Sequence, residues 1–330
     1  MKIIVYDVPA VSGGALTILE SYYNKYLLDK KNEYIFVIST PRLISQKNIK
    51  VLRFPWVKKS RLHRLYFDYI YSNKINKRER PDRVISLQNL TIPRLKSHQT
   101  IYVHQVIPFS DFKFNILSDF NLWFYKHIYK LLLFRSIRKA DQVIVQSKWL
   151  KNLIVEKRLT SKDKITIEKP LLENISNENS QETDDKSVIF IYPAGPEIYK
   201  NHRIIVDALI PLKLNKLKQF KVIFTISGDE NKSIKRLSQM VSHNDLPIYF
   251  VGNINRNELI NLYSRSILIY PSKIESLGLP LYEAMLMKRP IIAVKEKFVI
   301  EALTKYKDYY LFDGEYYKEL QYLFQKILKV

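Results

Sequence analysis

Apolar residues fall along this chain in two alternating patterns. Short β-branched and aromatic runs, "KIIVYD" (2–7), "YIFVIS" (34–39), "RVISLQ" (83–88), "TIYVHQ" (100–105) and "DQVIVQS" (141–147), predict buried strands. Between them, apolar positions recur at helical spacing near 15–29, 61–76, 114–139 and 147–158. The second half repeats the theme. Strands are predicted at "VIFIYPAG" (188–195), "KVIFTISG" (221–228), "IYFVG" (248–252), "ILIYPS" (267–272) and "PIIAV" (290–294), and helices at 200–217, 232–243, 256–265 and 280–288. Nearly continuous apolar strands alternating with helices imply α/β architecture, with parallel sheets covered on both faces.

The pattern lapses once, at "ENISNENSQETDDKS" (173–187), where Ile175 is the only large apolar residue. That stretch predicts an exposed linker or loop. The expected division is a first domain over 1–172, a polar connection over 173–187, a second domain over 188–314 and a short C-terminal helix over 315–330. The chain has no cysteine, which removes disulfides and thiolate chemistry and makes a structural zinc site unexpected. The opening apolar run stops at Asp7, too short for a secretory signal. With no run of about 18 apolar residues to span a bilayer, a cytoplasmic protein is expected.

Charge divides the halves more sharply than hydropathy does. The formal charge is +22, and residues 1–170 hold 32 basic against 13 acidic side chains while the remainder holds 22 against 19. A bias kept for solubility would be spread evenly; a one-sided field implies an anionic partner such as a membrane surface, nucleic acid or a polyanionic substrate. Residues 56–80 carry eight basic and two acidic residues with Trp, Tyr and Phe among them, and residues 120–140 contain no acid. Within the latter, "LWFYKHIYKLLLFRSIRK" has the composition of a helix resting on an anionic bilayer. A domain helix whose lysine stems reach outward fits the same composition.

Candidate chemistry collects at the glycines. There are seven, and Gly13, Gly14, Gly195, Gly228 and Gly252 follow predicted strands, where ligands bind in open α/β sheets. Gly13-Gly14 is not a full Gly-x-Gly-x-x-Gly, so a nicotinamide or flavin site is poorly supported. Gly278 lies in "IESLGLPLYEAM", between Glu275 and Glu283 and before a helix that Pro280 is suited to begin. Carboxylates accept from paired sugar hydroxyls, and the amides near Ser276, Leu277 and Gly278 face the start of that helix, where anions are favoured. Glu283 sits among apolar neighbours and would need a partner if buried.

The stretch "GNINRNELINLYSRSILIYPSKIESLGLPLYEAMLMKRPIIAV" (252–294) resembles the donor-binding core of glycosyltransferase family 4. The family's Glu-x7-Glu matches Glu275 and Glu283; "YPAGPEIYKNH" (192–202) resembles its Lys-Asn turn, Gly13-Gly14 its first loop, and "YVHQ" (102–105) its strand-end histidine. The resemblance implies a GT-B-like fold, two doubly wound Rossmann-like domains with a ligand cleft between them. It implies a metal-independent, retaining hexosyltransferase that needs no cofactor and uses a nucleotide-diphosphate sugar. By position, Glu275 would contact the transferred sugar with the amides of Ser276, Leu277 and Gly278. Glu283 would hold the ribose and Lys200 the diphosphate; Gly13 and Gly14 would admit the diphosphate, and His104 would face the sugar. A lipid-linked or glycan acceptor in capsule, O-antigen or lipopolysaccharide synthesis is expected, with the protein peripheral on the inner membrane face.

Three positions depart from the family pattern. Gly195 stands where an arginine is usual, Lys288 where a small residue is, and the chain ends at Val330, leaving room for only a brief C-terminal helix. A nucleic-acid-binding protein and a GT-B-fold nucleotide-sugar epimerase are the alternatives; the first has charge but no recognisable nucleic-acid motif.

Overall fold

A strand buried at every interior position belongs in the middle of a covered sheet, and β1 (Lys2–Asp7) is such a strand, with Ile3 to Asp7 all buried. In the computed structural model, which describes residues 1–170, 187–212 and 217–329, the chain forms two compact units, Met1–Leu171 and Leu172–Val330. In the first, β1 is followed by α1 (Gly13–Leu27), β2 (Glu33–Ile38), β3 (Ile49–Arg53), α2 (Arg61–Tyr66) and α3 (Ser72–Glu79). Then come β4 (Arg83–Ser86), β5 (His98–Val103), α4 (Phe120–Phe124), α5 (Lys130–Lys139), β6 (Gln142–Val145), α6 (Lys148–Glu156) and β7 (Ile165–Ile167). The sheet order is β3-β2-β1-β4-β5-β6-β7, parallel throughout, so the chain reverses direction across the sheet between β1 and β4.

The second unit repeats the plan with β8 (Val188–Tyr192), α7 (His202–Leu209), β9 (Phe220–Phe224), α8 (Lys232–His243), β10 (Ile248–Phe250) and α9 (Arg256–Ser264). It continues through β11 (Ser266–Tyr270), α10 (Leu279–Leu286), β12 (Ile291–Val294), α11 (Lys297–Leu303), β13 (Tyr309–Phe312) and α12 (Tyr317–Leu328). Its parallel sheet runs β10-β9-β8-β11-β12-β13, with the reversal between β8 and β11.

Every predicted strand forms; β1 matches its apolar run, β2 and β5 keep the length of theirs but begin one and two residues earlier, and the others are shorter by a residue or more. The strands that the pattern does not announce are β3, β7 and β13, all at or next to a sheet edge. An edge strand is covered on fewer sides and carries polar residues, as in "IKVLR" of β3, so its period fades. Of the expected helices, 114–139 begins only at Phe120 and 200–217 spans His202–Leu209, while α11 was not expected. The linker expected at 173–187 lies, except for Ser187, outside the described residues, as do 213–216. Both long helical runs of the first unit contain a π-helical turn, Phe67–Tyr71 and Tyr125–Tyr129. No helix among the described residues is long and apolar enough to cross a membrane.

The C-terminal helix lies within the expected 315–330, at Tyr317–Leu328. It occupies twelve residues and buries Leu320, Leu323, Phe324 and Leu328 in the second unit's own core. The Phe324 ring meets Phe190 edge-on at 5.0 Å and tilts against Phe220 at 6.3 Å. Phe324→Ala should therefore cost about 3–5 kcal/mol, measured as a lowered chemical-denaturation midpoint of the second unit.

Candidate functional site

In the second unit the loops after β8 and β11, the two strands flanking the reversal, are joined: the Lys273 amide donates to the Tyr199 carbonyl at 2.9 Å. A short 3-10 turn, Ile198–Lys200, follows β8 and delivers Lys200; Asn201 then takes a left-handed φ of +57° and donates to the Gly314 carbonyl at 3.1 Å. From the other loop comes Glu275. The Lys200 ammonium donates to the Glu275 carboxylate, and the Ser272 hydroxyl donates to the same oxygen at 2.8 Å. The two charged side chains are only 16% and 19% exposed. Behind them, burial pushes the Tyr192 and Tyr270 phenols far up, and the Glu275 charge adds to it.

Gly278 ends that loop at φ +75° and caps α10, with Pro280 in the helix's first turn as expected. A Cβ at Gly278 would lie 3.1 Å from Leu281 and would strain the left-handed turn. Ser276 and Leu277 precede it on the same loop, and Leu277 is buried. Glu283 follows on α10, buried, and has the partner that its apolar setting demanded: the Arg256 guanidinium donates to it at 2.5 Å. Arg256 opens α9, whose start is fixed by a reciprocal Asn255–Glu258 capping box.

At Gly195 an added Cβ would come within 2.6 Å of the Glu197 carboxylate, so an arginine there would displace that side chain. Arg203, a possible substitute, is turned to Asp207 at 2.7 Å on the exposed side of α7. A different cation stands close by: Lys273, 15% exposed, pairs with Glu315 at 2.5 Å. Sequence reasoning passed over Lys273 and Arg256, although both stand in the quoted motif region, since neither spacing nor type distinguishes them from surface cations.

In the first unit, Gly13 begins α1 at φ +59° with open space where a Cβ would be, and Gly14 follows in the first turn. His104 follows β5. Its amide and that of Gln105 donate to the Asn89 side-chain carbonyl at 2.7 and 2.8 Å, while the Asn89 amide nitrogen lies 3.3 Å from His104 Nε2. Among the described residues Nδ1 has no partner, and burial lowers the imidazole pKa to about 4, leaving the ring neutral at physiological pH. At the end of β1, Asp7 is buried, and among the described residues its carboxylate makes no side-chain hydrogen bond or ion pair. Burial pushes its pKa up from 3.8 to about 7, opposed by the Ala10 amide and the nearby Arg64 and Lys58 charges. The sequence had marked Asp7 only as the residue that stops an apolar run.

Comparison with known proteins is consistent with this geometry. Residues 173–330 match the family model described as glycosyl transferases group 1. That match spans 158 of the 330 residues, the described part of which is the second unit. Over 275 residues, the chain is 25% identical to the O-antigen chain mannosyltransferase RfbU of Salmonella typhimurium, an alignment covering 81% of this chain and 70% of that one. Among solved structures, WaaG, a glycosyltransferase involved in lipopolysaccharide biosynthesis, aligns with a TM-score of 0.74 at 12% identity, covering 98% of this chain and 90% of its own. Anabaena Alr3699/HepE in complex with UDP-glucose aligns with a TM-score of 0.71 at 14% identity, covering 99% and 89%. The two parallel-sheet units are those of a GT-B fold, and the family match supports a glycosyltransferase.

Two outcomes follow. Because Lys200 and Glu275 neutralise each other in a poorly exposed setting, Lys200→Ala or Glu275→Ala alone should cost about 2–4 kcal/mol. The double variant should cost about 1–2 kcal/mol less than the sum, read from a denaturation cycle. Asp7 binds its proton more tightly folded than unfolded, so its contribution is fully present below pH 3.8 and is lost as pH rises through about 7. Asp7→Asn should therefore gain on the wild type between these limits, by at most about 4 kcal/mol, and the gap should level off at higher pH in thermal melts.

Proposed function

We propose that this protein is a retaining hexosyltransferase that moves a sugar from a nucleotide-diphosphate donor to a lipid-linked or glycan acceptor in surface-polysaccharide assembly, O-antigen or lipopolysaccharide included. The observation that carries the reading is the Lys200–Glu275 pair, set on the joined loops at the carboxyl ends of β8 and β11. A diphosphate arriving there offers the ammonium a better anion than one carboxylate. Once Lys200 turns to it, Glu275 is free to accept from hydroxyls of the transferred sugar, with Ser276, Leu277 and Gly278 alongside. The two groups thus protect each other until the ligand that separates them is present.

In this reading Lys200 supplies the charge that a metal ion would otherwise bring to the leaving group, and Lys273 stands where it can reinforce it in place of the arginine absent at Gly195. Glu283, held by Arg256, receives the ribose hydroxyls. The acceptor oxygen bonds to the anomeric carbon as the bond to the diphosphate breaks, and the acceptor proton passes to the departing phosphate oxygen.

The family match and the mannosyltransferase relative favour transfer over epimerisation, which the fold alone would also allow. Peripheral association with the inner membrane face, the remaining part of the proposal, draws support from the first unit's surface. Leu62 and Leu131 are 76% and 67% exposed, and Arg135, Arg138 and Lys139 face solvent beside the latter. Lys126 does not contribute: its ammonium is spent on the Phe112 carbonyl at 2.6 Å.

A thermal-shift screen against nucleotide sugars and sugar-free nucleotides tests the donor site. One nucleotide sugar should raise the melting temperature of the wild type. Glu275→Gln should keep the response to the nucleotide diphosphate but lose the extra response to the sugar, and Lys200→Ala should lose both. Absence of a shift with every nucleotide and nucleotide sugar would defeat the reading.

A further inference from the structure

The first unit contains a cavity of about 450 Å³ that the transfer chemistry does not use. It opens between β3 and α3. Because β3 is an edge strand and His104 follows β5, four strands along, the two are separated by roughly 19 Å of sheet. The size lies in the range of small-molecule sites. Its floor is apolar, with Ile75 buried beneath it, and Phe54 and Tyr71 contribute aromatic walls whose ring centroids lie 5.3 Å apart.

Its rim is cationic: Arg53, Lys74 and Arg78 all line it, and no acidic residue does. Lys74 and Arg78 are one helical turn apart on α3 and share a face. Among the described residues Lys74 has no hydrogen-bond or ion-pair partner. Arg53 uses Nη2 on the Thr40 carbonyl at 2.9 Å, and Arg78 turns Nε and Nη2 to Glu79 at 3.0 and 2.9 Å, which leaves the remaining donors of both forks for another acceptor. Two arginine forks and an unpaired ammonium around one opening match the several oxygens of a phosphate better than they match a single carboxylate. The apolar floor would be idle beneath free phosphate and useful beneath a phosphate ester.

We propose that this cavity binds a phosphate group carried on an apolar or aromatic body. Two sources share that chemistry, the headgroup region of an anionic membrane lipid and a soluble organophosphate. Leu62, Leu65 and Ile70, exposed on the helical run that leads into Tyr71 and Lys74, place an apolar surface next to the opening, as a lipid would require.

Calorimetric titration of the full-length protein with phenyl phosphate and with inorganic phosphate tests the site. Phenyl phosphate should bind at least about tenfold more tightly than inorganic phosphate. Lys74→Glu, which breaks no hydrogen bond of the fold, should weaken phenyl phosphate binding by about tenfold or more. Arg53→Gln should weaken it independently, whereas Lys30→Glu, a reversal of an exposed charge elsewhere on the unit, should not. Co-sedimentation with vesicles of equal parts phosphatidylcholine and phosphatidylglycerol separates the sources. Loss of vesicle binding in Lys74→Glu as well identifies the lipid, and loss of phenyl phosphate binding alone identifies a soluble ester. Equal affinity for both phosphates, or an equal loss in Lys30→Glu, would overturn the proposal. The site is independent of the donor reading, so the nucleotide-sugar thermal shift should persist in Lys74→Glu, and failure of that shift in the wild type would leave this prediction intact.

Discussion

An ammonium and a carboxylate held together with less than a fifth of either side chain exposed are the constraint around which the second unit's ligand face is organised. Each would be costly to leave alone where it stands, because neither has enough water to replace its partner. The pair therefore dictates that the loops after β8 and β11 stay in register, and the Lys273–Tyr199 backbone bond secures that register. Gly278 and Pro280 then start α10, which carries Glu283 to Arg256. A ligand that offers an anion to Lys200 and hydroxyls to Glu275 would satisfy both groups at once, and so would be coupled to the framework that the pair holds together.

The first unit handles buried charge in another way. Among the described residues Asp7 has no counter-ion in contact, and burial raises its pKa more than the nearby Ala10 amide, Arg64 and Lys58 lower it. His104 likewise remains neutral, held through Asn89 and not through an acid. Its excess of basic residues stays at the surface, in part beside exposed apolar side chains and in part around the β3–α3 cavity.

Two parallel sheets with the same outward winding explain why remote sequences share this architecture at 12–14% identity. What such a fold requires is a run of covered strands and helices of compatible length, which many sequences meet. Chemistry requires particular side chains at strand ends, and those occupy a small part of the chain.

The central strands, the helix beginning near Pro280 and the nearness of Glu275 to that helix start were legible in the residues, because strand period, proline and glycine act locally on the backbone. So was the need of Glu283 for a partner, since a charge amid apolar neighbours must be compensated wherever it folds. The identity of that partner was not legible: Arg256 lies 27 positions away, and only the packing of α9 beside α10 brings the two together. Nor were the edge strands β3, β7 and β13, whose conformation comes from hydrogen bonds to a neighbour and not from their own weak pattern. The isolation of Asp7 and the gathering of Arg53, Lys74 and Arg78 around one cavity are of the same kind. Local sequence determines what the backbone does over a few residues, whereas burial and the meeting of distant charges exist only once the sheets have closed over them.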